Sequence, residues 1–152
     1  MASGLYGEIF YRIAKGTLTL DGLNVKMMLL STSASFNAAH IWASQISGYE
    51  ISCTNYGRGY GGSGRKAMTL STTKAADGKS AIVHLPANIT WASLGGAVNT
   101  TVGAAAIFIE GTSDANRLLV GFFDIDNTTT IGTDFTLVIT DSPGGNITLG
   151  NS

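Results

Sequence analysis

The run Leu118-Leu119-Val120-Gly121-Phe122-Phe123-Asp124-Ile125 decides the fold. It is short, rich in aromatic and branched residues, and bounded by Thr112 to Asn116 before it and Asp126 to Gly132 after it, which is the signature of a strand. Leu118 to Phe123 carries apolar side chains on both faces, so the strand is predicted to be buried on both sides, in the fold or at an interface. Phe135, Leu137 and Ile139 alternate with Thr136, Val138 and Thr140 and read instead as a half-exposed strand.

Working outward, the same grammar recurs at Met68 to Thr72, Ala81 to Leu85, Ile89 to Trp91, Ala104 to Ile109 and Ile147 to Leu149. The separators are Asp77-Gly78, Gly95-Gly96 and Ser142 to Asn146. Earlier, Leu18 and Leu20 alternate with Thr17 and Thr19, and Val25 to Leu30 is an apolar run, so both read as first strands. Leu5, Ile9 and Ile13 lie four apart, with Ser3 as a candidate N-cap and Gly16 as a C′ stop, predicting a short helix over 5–15. Phe36 to Ser47 fits a helical turn or an irregular loop equally well. Asn55 to Gly64, dense in glycine, is a loop with positions that need positive φ. The expected architecture is mainly β: an antiparallel sandwich or barrel of about eight short strands, with one short N-terminal helix. The 152 residues, 44% of them apolar, form a single domain, with the helix at 5–15 and the β module over 17–149.

Charge excludes several functions. Charged residues make up 12% of the chain, about half the usual ~25%. A surface so weakly charged suits contact with neighbours. A net charge of -1 does not fit phosphate neutralisation, so nucleic acid is not an expected partner. Neither is a membrane, because no apolar stretch approaches the ~20 residues of a span and no signal-like N-terminus is present, so the chain is expected to work in soluble form. Eight of the nine basic residues lie at or before Lys79, while Glu110 to Asp141 holds six of the ten acidic ones. Folding is expected to interleave the two halves; otherwise, basic surface would dock on acidic surface of a second copy.

The motif tests argue against chemistry. Gly57-Arg58-Gly59-Tyr60-Gly61-Gly62 matches a dinucleotide-loop spacing, but a strand-like run follows where a helix is required. Gly59 to Lys66 misses a phosphate loop, because Arg65 stands at the lysine position and Lys66 at the hydroxyl position. Asp124, Asp126 and Asn127 open like a calcium loop, yet Thr129 replaces the turn glycine. Cys53 is the lone cysteine and reads as a small packing residue, as His40 and His84 read as packing or hydrogen-bonding residues. The Asn-x-Thr sequons at Asn88, Asn99, Asn127 and Asn146 carry little weight without a secretory signal. No nucleophile, base and oxyanion donors assemble, so an enzyme is not expected, and neither is a cofactor or metal.

The order of landmarks resembles a family of small tailed-bacteriophage virion proteins from head and tail gene clusters. The resemblance spans nearly the whole chain: the Leu5-Tyr6 helix, the Leu23 to Leu30 strand, Ile46-Ser47 to Glu50-Ile51-Ser52, Gly57-Arg58-Gly59-Tyr60 and Ile89-Thr90-Trp91-Ala92-Ser93. It continues through Ala106 to Ile109, Leu118 to Asp124, Gly132 to Thr136 and Ile147-Thr148-Leu149. The chain departs from the pattern in lacking an Asp-rich stretch before the tryptophan and in its longer glycine-rich loop. What the resemblance implies is a structural component of the virion, foremost a capsid decoration (cement) protein on the capsid surface. Its partners would be the phage major capsid protein and copies of itself, as a trimer on the threefold axes.

A tail or neck component is the nearest alternative, and a carbohydrate- or host-binding module, with Trp42, Trp91, Tyr49 and Tyr60 as a stacking platform, is the alternative of another class. A polysaccharide hydrolase would need paired carboxylates, for which Asp124 and Asp134 are available. Contacts with neighbouring chains are expected from the helix, through Leu5, Tyr6 and Ile9, and from the loop, through Tyr56, Arg58, Tyr60 and Arg65.

Overall fold

A computed structural model describes residues 3–74, 76, 78, 80–85, 88–138 and 147–150. Its elements are β1 (Gly4–Leu5), α1 (Gly7–Ala14), β2 (Asn24–Ser31), β3 (Lys66–Thr69), β4 (Ser71–Lys74), β5 (Ser80–His84), β6 (Asn88–Leu94), β7 (Thr101–Ile109), β8 (Leu119–Thr129), β9 (Thr133–Val138) and β10 (Ile147–Gly150). All strand pairings are antiparallel. A five-stranded sheet runs in the order β1-β8-β7-β2-β3, a three-stranded one β10-β5-β4, and β6 pairs with β9. The chain is therefore mainly β and sandwich-like, with a single short α-helix among the described residues. Ile139, Asp77 and the Ser142 to Asn146 separator lie outside those residues.

The centre of the large sheet is buried on both faces, which is why β2, β7 and β8 read as nearly continuous apolar runs. Toward the smaller sheets point Val25, Met27, Leu29, Ala105, Ile107 and Val120, packed with Leu70, Val83, Ile89, Trp91 and Leu94. Met28, Leu30, Ala104, Ala106, Phe108, Leu119 and Phe122 point the other way. That second face is closed by irregular chain, through Ala34, Phe36, Ala43 and Ile46, and by Tyr6. Phe36 bridges Tyr6 and Phe122, with ring centroids 5.3 and 5.9 Å away. Register breaks between Val102 and Ala104 and between Ile107 and Phe108 switch which residues face which core. The alanines of β7 leave room for larger neighbours, since Ala105 stands opposite Leu29 on one side and Phe123 on the other.

Several boundaries differ from the expected ones. The helix begins at Gly7, not Leu5, because Leu5 pairs with Gly121 at the sheet edge and Tyr6 donates its N–H to the Val120 carbonyl at 3.2 Å. Ser3 is not the cap; its Oγ accepts the Asp124 N–H at 2.9 Å. Gly16 does end the helix, at φ +68, with Gly16 N–H on the Ile13 carbonyl and Thr17 N–H on that of Arg12, both at 2.9 Å. Thr17 to Leu20 forms no strand: its leucines pack on the core, but among the described residues no strand lies beside it to complete a ladder. The undecided stretch after Phe36 is made of turns and two short 3₁₀ segments, Ala43–Gln45 and Ser47–Tyr49. Finally, β8 runs through Asp126 to Thr129 because Thr128 and Thr129 keep their pairing with Val102 and Thr101.

This packing makes a testable statement. Ala105→Leu forces extra volume between Leu29 and Phe123 and is expected to lower the unfolding free energy by about 1–3 kcal/mol. Ala92→Leu, on the exposed side of β6, is expected to stay within about 0.5 kcal/mol of the parent. Chemical denaturation of both variants checks the pair.

Candidate functional site

The glycine-rich loop connects a small bridge between Cys53 and Tyr56 to β3. It folds back on itself, with Gly64 N–H on the Gly57 carbonyl at 2.9 Å and Gly62 N–H on that of Gly59 at 3.1 Å. Two glycines are required by close approach: a Cβ on Gly62 would lie 2.1 Å from the Gly57 carbonyl oxygen, and one on Gly64 would lie 2.7 Å from the Tyr56 ring. The Gly64 carbonyl in turn accepts the Trp91 indole N–H at 2.6 Å, which ties the loop to the core.

Beneath the loop lies a buried carboxylate, that of Glu50. The turn Ser47–Tyr49 delivers it to a bridge with Leu30. Its Oε1 accepts the Tyr56 hydroxyl at 3.0 Å and Arg65 Nε at 2.9 Å, and its Oε2 accepts Arg65 Nη2 at 2.7 Å and the Gly59 N–H at 2.9 Å. Tyr56 accepts the Leu29 N–H at 3.0 Å, so the phenol also ties the carboxylate to β2. Arg65 grips Asp114 with its other edge, at 2.6 and 3.0 Å. Arg117 continues the chain to Asp114 at 3.0 Å and to Glu110 at 2.5 Å, and Lys26 closes it on Glu110 at 2.5 Å. Three cations and three anions thus balance, and the guanidinium groups of Arg65 and Arg117 both lie over the Phe108 ring, 5.2 and 5.3 Å from its centroid.

The electrostatics follow from this arrangement. Burial alone would lower the Arg65 pKa, but the hydrogen bonds and charges of Glu50 and Asp114 overcome it and raise it further above its ordinary value. The Arg65 hydrogen bonds hold the Asp114 carboxyl below its ordinary value, with Arg117 adding to the effect. Burial raises the Tyr56 phenol, and the Glu50 charge beside it adds to that. The basic first half and acidic second half of the sequence are therefore interleaved: Lys26 and Arg65 find their partners at Glu110 and Asp114.

Of the seven residues expected at contacts with neighbours, five are interior. Leu5, Tyr6 and Ile9 are buried in the two cores, Tyr56 is held under the loop, and Arg65 is inside the ion cluster. The repeat of Leu5 and Ile9 marks residues that face one core, Tyr6 closes the other, and Arg65 is drawn inward by two carboxylates. Arg58 and Tyr60 do reach the surface. Tyr60 is 59% exposed and lies 4.6 Å from the Arg117 guanidinium, and Arg58 is exposed with Nη2 3.4 Å from the Ser47 carbonyl. Tyr49, 44% exposed, belongs to the same turn as Ser47.

The tryptophan platform does not form, since Trp91 is 2% exposed and its indole is spent on Gly64. Asp134 accepts the Ser93 N–H at 2.8 Å, as a turn residue does. The dinucleotide spacing fails in structure as in sequence, because β3 follows the loop. Among the described residues, no group of three or more His, Cys, Asp or Glu is placed to hold a metal, and no helix is long and apolar enough to cross a membrane.

Glu50, Asp114, Glu110 and Arg117 escaped sequence reasoning as a site. Their one local signal was a charge set against apolar chain, Glu50 before Ile51 and Arg117 before Leu118. Comparison with protein-family models, with curated proteins and with solved structures returns no match.

Removing one partner of a buried ion pair strands the other, so Glu50→Ala is expected to cost about 3–5 kcal/mol, measured by denaturant unfolding. A carboxyl whose folded pKa is depressed stabilises above its unfolded value, about 3.9, and loses that contribution as pH falls through its folded value. Stability is therefore expected to drop on acidification below about pH 4, and Asp114→Asn is expected to flatten that drop.

Proposed function

We propose that this chain is a non-enzymatic structural protein of a tailed-phage particle, a capsid decoration protein that binds and stabilises the shell of the major capsid protein. The observation that carries the reading is the glycine-rich loop: it is fixed from beneath by the buried Glu50–Arg65 pair while Arg58 and Tyr60 are exposed on it, and Arg58 touches the turn that also exposes Tyr49. Arginine and tyrosine are enriched at protein contacts, and a loop that is already ordered loses little entropy on docking. The carboxylates beneath the loop are all engaged by cations or hydrogen-bond donors, which suits a scaffold better than a reacting centre. The phage setting itself is supported by the order of sequence landmarks.

A decoration protein must bridge coat subunits in many copies, and contacts that are weak singly add up when subunits associate, here as a trimer. Quantifying the chain in purified particles tests the reading: a copy number comparable to that of the coat protein supports it, whereas copies confined to a single ring would overturn it and favour a tail or neck component. Within the decoration reading, the double variant Arg58→Ala/Tyr60→Ala is expected to weaken shell binding by about 30-fold or more, the size of a hot-spot loss of ~2 kcal/mol. Its melting temperature should change little, because both side chains are exposed.

A further inference from the structure

Strand β3 ends the five-stranded sheet, and among the described residues no strand pairs with its outer side. The Leu70 N–H donates to the Leu23 carbonyl at 2.9 Å, and Met68 stands opposite Val25. Backbone groups alternate sides along an antiparallel strand, so Lys66 and Met68 turn theirs toward β2 while Ala67 and Thr69 turn theirs outward. Both outward residues are small and exposed, so no bulky side chain blocks an approaching strand.

On the sheet face just inside this edge, over β3 and β2, lies an open groove of about 350 Å³, lined by Val25, Lys26, Ala67, Met68, Thr69 and Glu110 together with Asn24. Lys26 and Glu110 neutralise one another at 2.5 Å, which leaves the groove without net charge. Its volume suits one or two aliphatic side chains. In strand addition, main-chain hydrogen bonds hold the guest, and pockets for alternate side chains select it.

The size of the edge decides the occupant. Four residues of strand fall far short of the ~1,200 Å² that a stable interface between two folded partners buries, so a second copy meeting this one edge to edge would have too little contact. A short extended segment uses both the edge and the groove. We infer that β3 accepts an extended segment of the coat subunit as an added strand, with a neutral aliphatic side chain opposite Ala67 or Thr69 entering the groove; the identity of that partner rests on the decoration reading above. So small a contact gains strength only in many copies, as a shell provides.

Ala67→Pro tests this directly, because proline deletes an outward N–H and leaves the β2–β3 ladder its donors. Wild-type chain, this variant and Ala67→Val are titrated onto purified undecorated shells. The expected result is binding weakened at least about tenfold in Ala67→Pro and retained in Ala67→Val, with melting temperatures alike. Equal binding by all three would overturn the inference while leaving the decoration reading intact.

A second measurement does not depend on shells or on the variant folding. Amide NMR of the wild-type chain is followed with the peptide acetyl-Thr-Val-Thr-Val-Thr-amide as probe. Shifts centred on Ala67 and Thr69, with Lys26 and Glu110 following, support a strand-accepting edge. Unmoved Ala67 and Thr69 amides at millimolar peptide would overturn it. If wild-type chain binds no shell but the peptide shifts those amides, the coat subunit is wrong as partner and the edge stands.

Discussion

The large sheet must keep its central strands dry on both faces, and the surrounding elements are arranged to do so. Strands β2, β7 and β8 place apolar side chains on both faces, and either face left in water would forfeit about 25 cal/mol per Å² of apolar area. The smaller sheets cover one face in the ordinary manner of a sandwich. The other is covered by irregular chain, and irregular backbone carries polar groups that need partners once water is excluded.

That need places a charged cluster against an apolar face. Glu50 takes up the Gly59 N–H and the Tyr56 hydroxyl, and Tyr56 takes up the Leu29 N–H. A carboxylate so buried requires a cation, which Arg65 supplies with a two-point grip, and the free edge of that guanidinium requires Asp114. Each partner is thus called for by the one before it, and the chain of charges ends where Glu110 and Lys26 meet solvent. Its consequence is mechanical: the glycine-rich loop, which its composition would leave loose, becomes a fixed platform for Arg58 and Tyr60. Among the described residues, the same fold also leaves the β3 edge of the large sheet short and without a strand on its outer side.

Much of this was legible in the sequence. The strand runs from Val25 to Leu30 and from Ala104 onward were readable because short apolar runs bounded by turn residues are local signals, and the two-faced burial of Leu118 to Phe123 followed from its missing polar positions. Boundaries were lost where long-range pairing overrode local preference, as when the Leu5 backbone joined β8 instead of the helix. The site was less legible. Arg65 lies 15 residues from Glu50 and 49 from Asp114, and no spacing rule connects groups that only folding brings together. Tyrosine and arginine in a glycine loop suit a surface, yet a tyrosine hydroxyl or guanidinium is equally suited to capping a buried carboxylate, and only the fold separates Tyr56 and Arg65 from Tyr60 and Arg58.

Electron cryomicroscopy of intact tailed-phage particles that carry this chain discriminates between the proposed decoration role and its alternatives. The proposed decoration role places this fold on the outer surface of the capsid shell, in many copies, with the Arg58 and Tyr60 loop seated on the coat protein. The fold confined to the tail or neck, or the loop facing open solvent on a decorated shell, would contradict it.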